Sequence, residues 1–98
     1  MQVSIQSLHF TASQRLISFI EEKSAKLPRY FNNITDVVIT LKLQKGANND
    51  NKQVEVKLLV PQNVIIAKET GKSFESAFDI CLDKVSRQLT DHKERLRG

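Results

Sequence analysis

The charged residues in the last quarter of the chain lie on two sides of a predicted helix, and the basic side has the chemistry to bind phosphate groups. At about 100° per residue, one face of residues 73–97 is apolar and contains Phe74, Phe78, Cys81, Val85 and Leu89. One side of that face, called here the basic flank, contains Lys84, Arg87 and Arg95. The opposite side, called the acidic flank, contains Glu75, Asp79 and Asp83. Separated charges give one edge a positive field that attracts a polyanion. The alternative is an ordinary solvated helix whose acids favour its N-terminal half, as the helix dipole prefers.

A second group of basic residues belongs to an earlier predicted helix and to the segment after it. One flank of that helix contains Arg15, Lys23 and Lys26, and Arg29 and Tyr30 follow it. If the two basic flanks face each other, a groove between parallel helices is lined by cations on both sides. Such a groove neutralises phosphates, and its affinity should fall steeply as salt rises. Tyr30 could stack on a base, or it could be an aromatic cap on the core.

Length and composition limit the class of protein. The chain has 98 residues, a net charge of +4 and 40% hydrophobic residues, which predicts one globular domain over residues 1–98 with an anionic partner. The single cysteine excludes an internal disulfide framework. We expect a cytoplasmic protein, because no signal peptide or membrane-spanning run is visible. No metal-ligand cluster, nucleophile motif or glycine-rich phosphate loop is present, so we expect no enzyme, no metal, no cofactor and no small-molecule substrate.

The hydrophobic pattern predicts the order β-α-β-β-β-α. Alternation predicts strands over residues 2–8, 34–45, 52–60 and 64–69, with a hairpin loop at 46–51. A capping box of Thr11 and Gln14 is expected to begin the first helix, and Pro28 is expected to end it near residues 26–27. Ser73 is expected to cap the last helix. This predicts an α+β fold in which a four-stranded mixed sheet carries two roughly parallel helices on one face, with a right-handed crossover from the first strand to a parallel second strand.

Several stretches have a more specific form, namely MQVSIQ (1–6), AKL (25–27), YF (30–31), DKVSRQL (83–89) and TDHK (90–93). On these residues the chain resembles the short hibernation-promoting factor and ribosome-associated inhibitor A proteins of bacteria, nearly from end to end. The resemblance implies a fold similar to a double-stranded-RNA-binding domain. One departure is Glu75, which stands where family members often have a tyrosine.

The resemblance also implies a function and a partner. Such proteins bind the small ribosomal subunit, with its 16S ribosomal RNA and adjacent proteins, in stationary phase or stress. They occupy the decoding channel and inhibit translation by excluding tRNA and messenger RNA. The shared motifs imply RNA contacts at Lys26, Lys84, Arg87 and Lys93, and the groove argument adds Lys23, Arg29, Tyr30 and Arg95. No C-terminal dimerisation domain is expected, so pairing of ribosomes would need changes in the subunit or a separate dimerising partner.

Two other functions remain open at the level of the sequence. A general double-stranded-RNA-binding module would bind naked duplex about as well as ribosomes. A protein–protein adaptor would use the open face of the sheet, where Thr40, Lys42, Glu55, Lys57 and Leu59 are expected to be exposed. Salt dependence separates RNA binding from the adaptor, and competition by duplex RNA separates the two RNA-binding functions.

Overall fold

The computed structural model describes residues 1–45 and 50–97 of the chain. Its elements are, in order, strand β1 (Gln2–Leu8), helix α1 (Gln14–Ser24), a 3-10 turn (Leu27–Arg29), strands β2 (Asp36–Leu43), β3 (Lys52–Val60) and β4 (Asn63–Gly71), and helix α2 (Phe74–Arg97). This order confirms the predicted β-α-β-β-β-α fold. The predicted hairpin loop at 46–51 lies largely outside the described residues, because only its last two positions belong to them.

The four strands form one mixed sheet in the order β1-β2-β3-β4. β1 pairs with β2 in parallel, and β2, β3 and β4 form an antiparallel meander, as the sequence predicted. Strand residues alternate between a core face and an open face; Val37, Val54 and Ile65 are among those that are buried. α2 packs on β3 and β4, and α1 packs beside it on the same face of the sheet. No helix in the described part of the chain is long and apolar enough to cross a membrane.

The ends of the helices follow local hydrogen bonding. Ser13, and not Thr11, caps α1: its backbone is extended and its Oγ accepts a hydrogen bond from the amide of Leu16 at 3.1 Å. The predicted capping box is therefore wrong, because the residue next to the first helical turn satisfies the free amide. Pro28 lies within the 3-10 turn that follows α1. Ser73 caps α2 as predicted, since its Oγ accepts from the amide of Ser76 at 3.1 Å.

Aromatic contacts fix the relative direction of the two helices. Phe19 of α1 packs edge-on against Phe78 of α2, with ring centroids 6.2 Å apart. Further along both elements, Phe31 packs edge-on against His92 at 5.5 Å. In both contacts a later residue of the first segment meets a later residue of α2, so α1 and α2 run parallel. His92 is 7% exposed, so it lies against the edge of the core.

The contacts of α2 also determine the hand of the β1-α1-β2 crossover. Viewed from the side of the helices, with β4 pointing upward, α2 runs downward. Seen from its N-terminus, its residues advance clockwise because an α-helix is right-handed. Asp79, which contacts Lys23 of α1, therefore lies to the right of the core, and Lys84, which contacts Glu69 of β4, lies to the left. In the sheet order β1-β2-β3-β4, β4 is therefore at the left edge, and β1 lies to the right of β2. The chain thus moves leftward with its helix toward the viewer, which is a left-handed crossover, and the predicted right-handed crossover is wrong.

The connections around α1 explain how the chain takes this uncommon path. The preference for right-handed crossovers arises where a twisted strand leads into a helix that packs straight back onto the sheet. Here His9, the residue after β1, has a φ of 71°, a backbone turn that few residues other than glycine adopt. After α1, residues 25–35 return to β2 through the 3-10 turn and irregular backbone. Because of these two segments, the twist of β1 does not determine the direction in which α1 lies.

Candidate nucleic-acid interface

A groove of about 370 Å³ lies between α1 and α2. Its floor is partly apolar, with Leu27 and Leu82, and its walls are polar. The charged residues that line it are Lys23, Lys26, Asp79, Asp83 and Arg87, and the remaining lining residues are Tyr30, Ser86 and Thr90. The groove predicted from the sequence therefore exists, but the flank of α2 that faces it is the acidic flank.

Two exposed ion pairs connect the charges of the groove. The Nζ atom of Lys23 lies 3.6 Å from Oδ1 of Asp79 and 5.3 Å from the centre of the Phe19 ring. Arg87 lies 2.9 Å from Asp83, one turn before it on the same helix. Exposed pairs of this kind contribute about 0–1 kcal/mol, so a phosphate can compete with either carboxylate for its cation. Lys26 forms no ion pair with any described residue and is the groove's uncompensated positive charge.

A second cavity, called here the end pocket, lies beyond the C-terminal end of the groove. It has a volume of about 250 Å³ and is lined by Pro28, Arg29, Tyr30, Phe31, Asn32 and Lys93. The edge-on contact between Phe31 and His92 joins the segment after the 3-10 turn to the last turns of α2. That contact brings Arg29 and Lys93 to one cavity, although they are far apart in sequence.

The other flank of α2 lies over β4. Lys84 donates a hydrogen bond to Oε2 of Glu69 at 2.7 Å, which lowers the pKa of Glu69 and raises that of Lys84. Gln88 donates to the carbonyl oxygen of Ile66 at 3.2 Å, on the free edge of β4. Arg95 lines a small cavity with Asn63 at the start of β4. The prediction that Lys84 and Arg95 line the inter-helix groove is wrong, because the left-handed crossover places α1 on the opposite side of α2.

The eight residues predicted to contact RNA therefore divide into two sets. Six of them lie at the groove or at the end pocket: Lys23, Lys26, Arg29, Tyr30, Arg87 and Lys93. Lys84 and Arg95 lie on the β4 side. Lys93 lines the end pocket together with Arg29.

Sequence reasoning did not find the acidic wall of the groove. If the two basic flanks faced each other, Asp79 and Asp83 would lie on the side of α2 away from α1, yet both line the groove. The helical period shows that these two residues share a flank, but only the hand of the crossover shows which neighbour they meet. No short motif in the sequence signals that hand.

The open face of the sheet carries both charge and apolar surface. Thr40, Lys42 and Glu55 line a shallow depression of about 180 Å³ there. Lys57 is exposed as expected, whereas Thr40, Lys42, Glu55 and Leu59 are only partly exposed, because neighbouring strands shield them. Val64 and Ile66 on β4 are 46% and 48% exposed.

Comparisons with known proteins agree with this architecture. A ribosomal subunit interface protein from Coxiella burnetii superposes with a TM-score of 0.80 over 96% of this chain and 99% of its own, at 21% identity, which shows the fold. The ribosome hibernation promoting factor of Pseudomonas putida is 33% identical over 95 residues, which cover 97% of this chain and 89% of that protein. The factor of the same name from Escherichia coli is 32% identical over 97 residues, covering 99% and 98%.

The family comparison covers nearly the whole chain. Residues 3–97 match the model of the family described as Sigma 54 modulation protein / S30EA ribosomal protein. This is a family of regulatory proteins rather than enzymes, in agreement with the sequence prediction. The resemblance seen in the short motifs is thereby confirmed, and this chain belongs to the Sigma 54 modulation protein / S30EA ribosomal protein family.

Proposed function

We propose that this protein is a cytoplasmic ribosome hibernation factor that binds the small ribosomal subunit in its decoding channel. There it inhibits translation because its folded body occupies the space of tRNA and messenger RNA. The observation that carries the proposal is the match, over nearly the full length of both proteins, to factors named for promoting ribosome hibernation. The mechanism needs no catalytic group: it requires only that phosphates of ribosomal RNA hold the protein in place.

The groove and the end pocket form the face that best fits this role. Together they bring five cations to one side of the molecule from two distant parts of the chain, namely Lys23, Lys26, Arg29, Arg87 and Lys93. Phosphate contacts from these cations release counterions, so affinity should depend strongly on salt. Lys84 and Arg95 are expected to add less, because they lie on the β4 side of α2, away from the groove and the end pocket.

A decisive experiment is co-sedimentation of the protein with small subunits, large subunits and whole ribosomes across a salt series. We expect saturable binding to small subunits and whole ribosomes, loss of binding at high salt, and competition by tRNA. Binding to naked duplex RNA of equal strength would favour a general RNA-binding module. Absence of binding to every ribosomal particle at low salt would contradict the proposal.

A pair of matched variants locates the interface. The triple change Lys26→Gln, Arg87→Gln and Lys93→Gln removes three exposed cations from the proposed face. The control Lys42→Gln, Lys57→Gln and Lys68→Gln removes the same charge from the open face of the sheet. We expect the first variant to lose small-subunit binding and to have a shallower salt dependence, by about one unit of slope per lost phosphate contact, while the control binds normally. Equal losses would mean that only net charge matters.

One specific observation supports the alternative function, a protein–protein adaptor. Val64 and Ile66 leave apolar side chains partly exposed beside Leu59 on the open face. If this surface binds a protein, changing Val64 and Ile66 to Ser should weaken complex formation without altering the salt dependence of RNA binding. The same sedimentation assay distinguishes the two outcomes.

A further inference from the structure

The end pocket differs from the groove in its balance of charge. Both of its charged residues, Arg29 and Lys93, are cations, whereas the groove contains two carboxylates. Neither cation lies within 4.0 Å of a carboxylate oxygen of any described residue. An anion can therefore enter the end pocket without displacing a carboxylate of the protein.

Tyr30 separates this pocket from the groove. Tyr30 lines both cavities, and no other described residue does so. Tyr30 is 46% exposed, so much of its surface is free for a partner. An exposed aromatic ring between cations is the arrangement with which proteins stack the unpaired bases of nucleic acids.

The walls of the end pocket are held in place before any ligand binds. The amide of Tyr30 donates a hydrogen bond to the carbonyl oxygen of Leu27 at 3.0 Å, which closes the 3-10 turn. Phe31 is 7% exposed and packs edge-on against His92. A preformed pocket avoids part of the ordering cost that flexible loops incur on binding.

We propose that the end pocket binds one unpaired nucleotide. In this arrangement the base stacks on Tyr30, Arg29 and Lys93 hold the adjacent phosphate, and the side-chain amide of Asn32 hydrogen-bonds an edge of the base. The pocket's volume of about 250 Å³ lies just below the about 300–1,000 Å³ of drug-sized sites, so it has room for no more than one small group such as a single nucleotide. The proposal rests on the proposed function for the identity of the RNA, and it adds recognition of a single-stranded position to backbone binding in the groove.

The test uses the intact protein and a short single-stranded RNA that carries 2-aminopurine, whose fluorescence falls when it stacks on an aromatic ring. We expect the wild-type protein to quench the probe, and Tyr30→Ala to remove the quenching and weaken binding by roughly tenfold. Tyr30→Phe is the matched control, since it keeps the ring and should keep the quenching. Binding to a blunt duplex should be the same for all three proteins, and circular dichroism should show that they are equally folded.

The two cations supply an independent readout. Arg29→Gln and Lys93→Gln should each reduce the salt slope for the single strand by about 0.7. The proposal is overturned if Tyr30→Ala quenches like the wild type, or if it weakens duplex and single-strand binding equally. Quenching without binding to any ribosomal particle would contradict the proposed function and leave the nucleotide site standing. If the wild-type protein binds small subunits but does not quench the probe, and Tyr30→Ala binds subunits equally well, the nucleotide site is overturned and the proposed function stands.

Discussion

The two flanks of α2 carry similar numbers of charges but have different neighbours. On the flank that faces α1, Asp79 and Asp83 pair with Lys23 and Arg87 at the edge of an open groove. On the flank that lies over β4, Lys84 bonds to Glu69 and Gln88 covers part of the strand edge. The first flank leaves space between two elements, and the second closes against the sheet.

This difference shows that charge segregation along a helix does not by itself identify a binding surface. The basic flank is the positively charged side of α2 in the sequence, yet its lysine, Lys84, forms an ion pair with Glu69 of β4. The acidic flank borders the groove, and there Lys23, Lys26 and Arg87 offset its charge. What matters for a polyanion is the combined charge of all elements that border a cavity.

The largest expected effect comes from removing the apolar stripe on which both flanks depend. Phe78 is fully buried between the helices and the sheet, so Phe78→Ala should lower the free energy of unfolding by about 3–5 kcal/mol. Urea unfolding measures that loss. Cys81 on the same stripe is a second reporter, because burial raises its pKa to about 11 and hides it from solvent. Alkylation of Cys81 at pH 8 should be very slow in the wild type and much faster in the variant.

The next prediction contrasts the cations that border the groove with those on the β4 side of α2. Lys26→Gln with Arg87→Gln should weaken small-subunit binding by about tenfold for each lost phosphate contact. Lys84→Gln with Arg95→Gln removes the same net charge from the β4 side and should cost less than threefold, on the order of a surface ion pair. Sedimentation at one fixed salt concentration measures both. A larger loss from the second pair would mean that RNA approaches over β4.

A smaller change of opposite sign is expected from the acids of the groove. Asp79→Asn and Asp83→Asn free Lys23 and Arg87 and remove repulsion of phosphates, so affinity for RNA should rise by about two- to fivefold. Because the gain does not depend on the shape of the subunit, the preference for subunits over naked duplex should fall. Asp91→Asn, on the other side of α2, is the control and should change neither quantity. Weaker binding by the double variant would show that the carboxylates themselves contact the ribosome.

The smallest expected effect concerns the pair that holds the β4 flank. Lys84 lowers the pKa of Glu69 through a hydrogen bond and its charge, so the pair stabilises the fold above the unfolded value of 4.5 and loses this effect as the pH falls through the lower folded value. The pKa of Lys84 is raised in turn, so the stabilisation is complete below the unfolded value of 10.5 and is lost as the pH rises through the higher folded value. Glu69→Gln should therefore lower Tm slightly near pH 7. The difference from wild type should vanish in strong acid and in high salt.

Several features of the fold follow from local patterns that the sequence displays directly. Alternation of apolar residues in 52–60 predicted β3 with its correct bounds, and the helical stripe from Phe74 to Leu89 is buried as predicted. Local patterns were less reliable at element ends, where Ser13 displaced the expected Thr11 as cap of α1. The cap depends on which side chain reaches the first free amide, and two polar residues in one short loop cannot be ranked from sequence alone.

By itself, the sequence determined the order of the strands and helices, their apolar faces and the basic residues available for binding. Through its short motifs it also determined the family. Only the tertiary structure decided that the crossover is left-handed, and with it that Asp79 and Asp83 border the groove while Lys84 meets Glu69. It also brought Arg29 and Lys93 to one cavity through the contact of Phe31 with His92. The physical reason is that period and composition are local properties of the chain. Which side of one helix meets another is set by the path of the connecting segments through space.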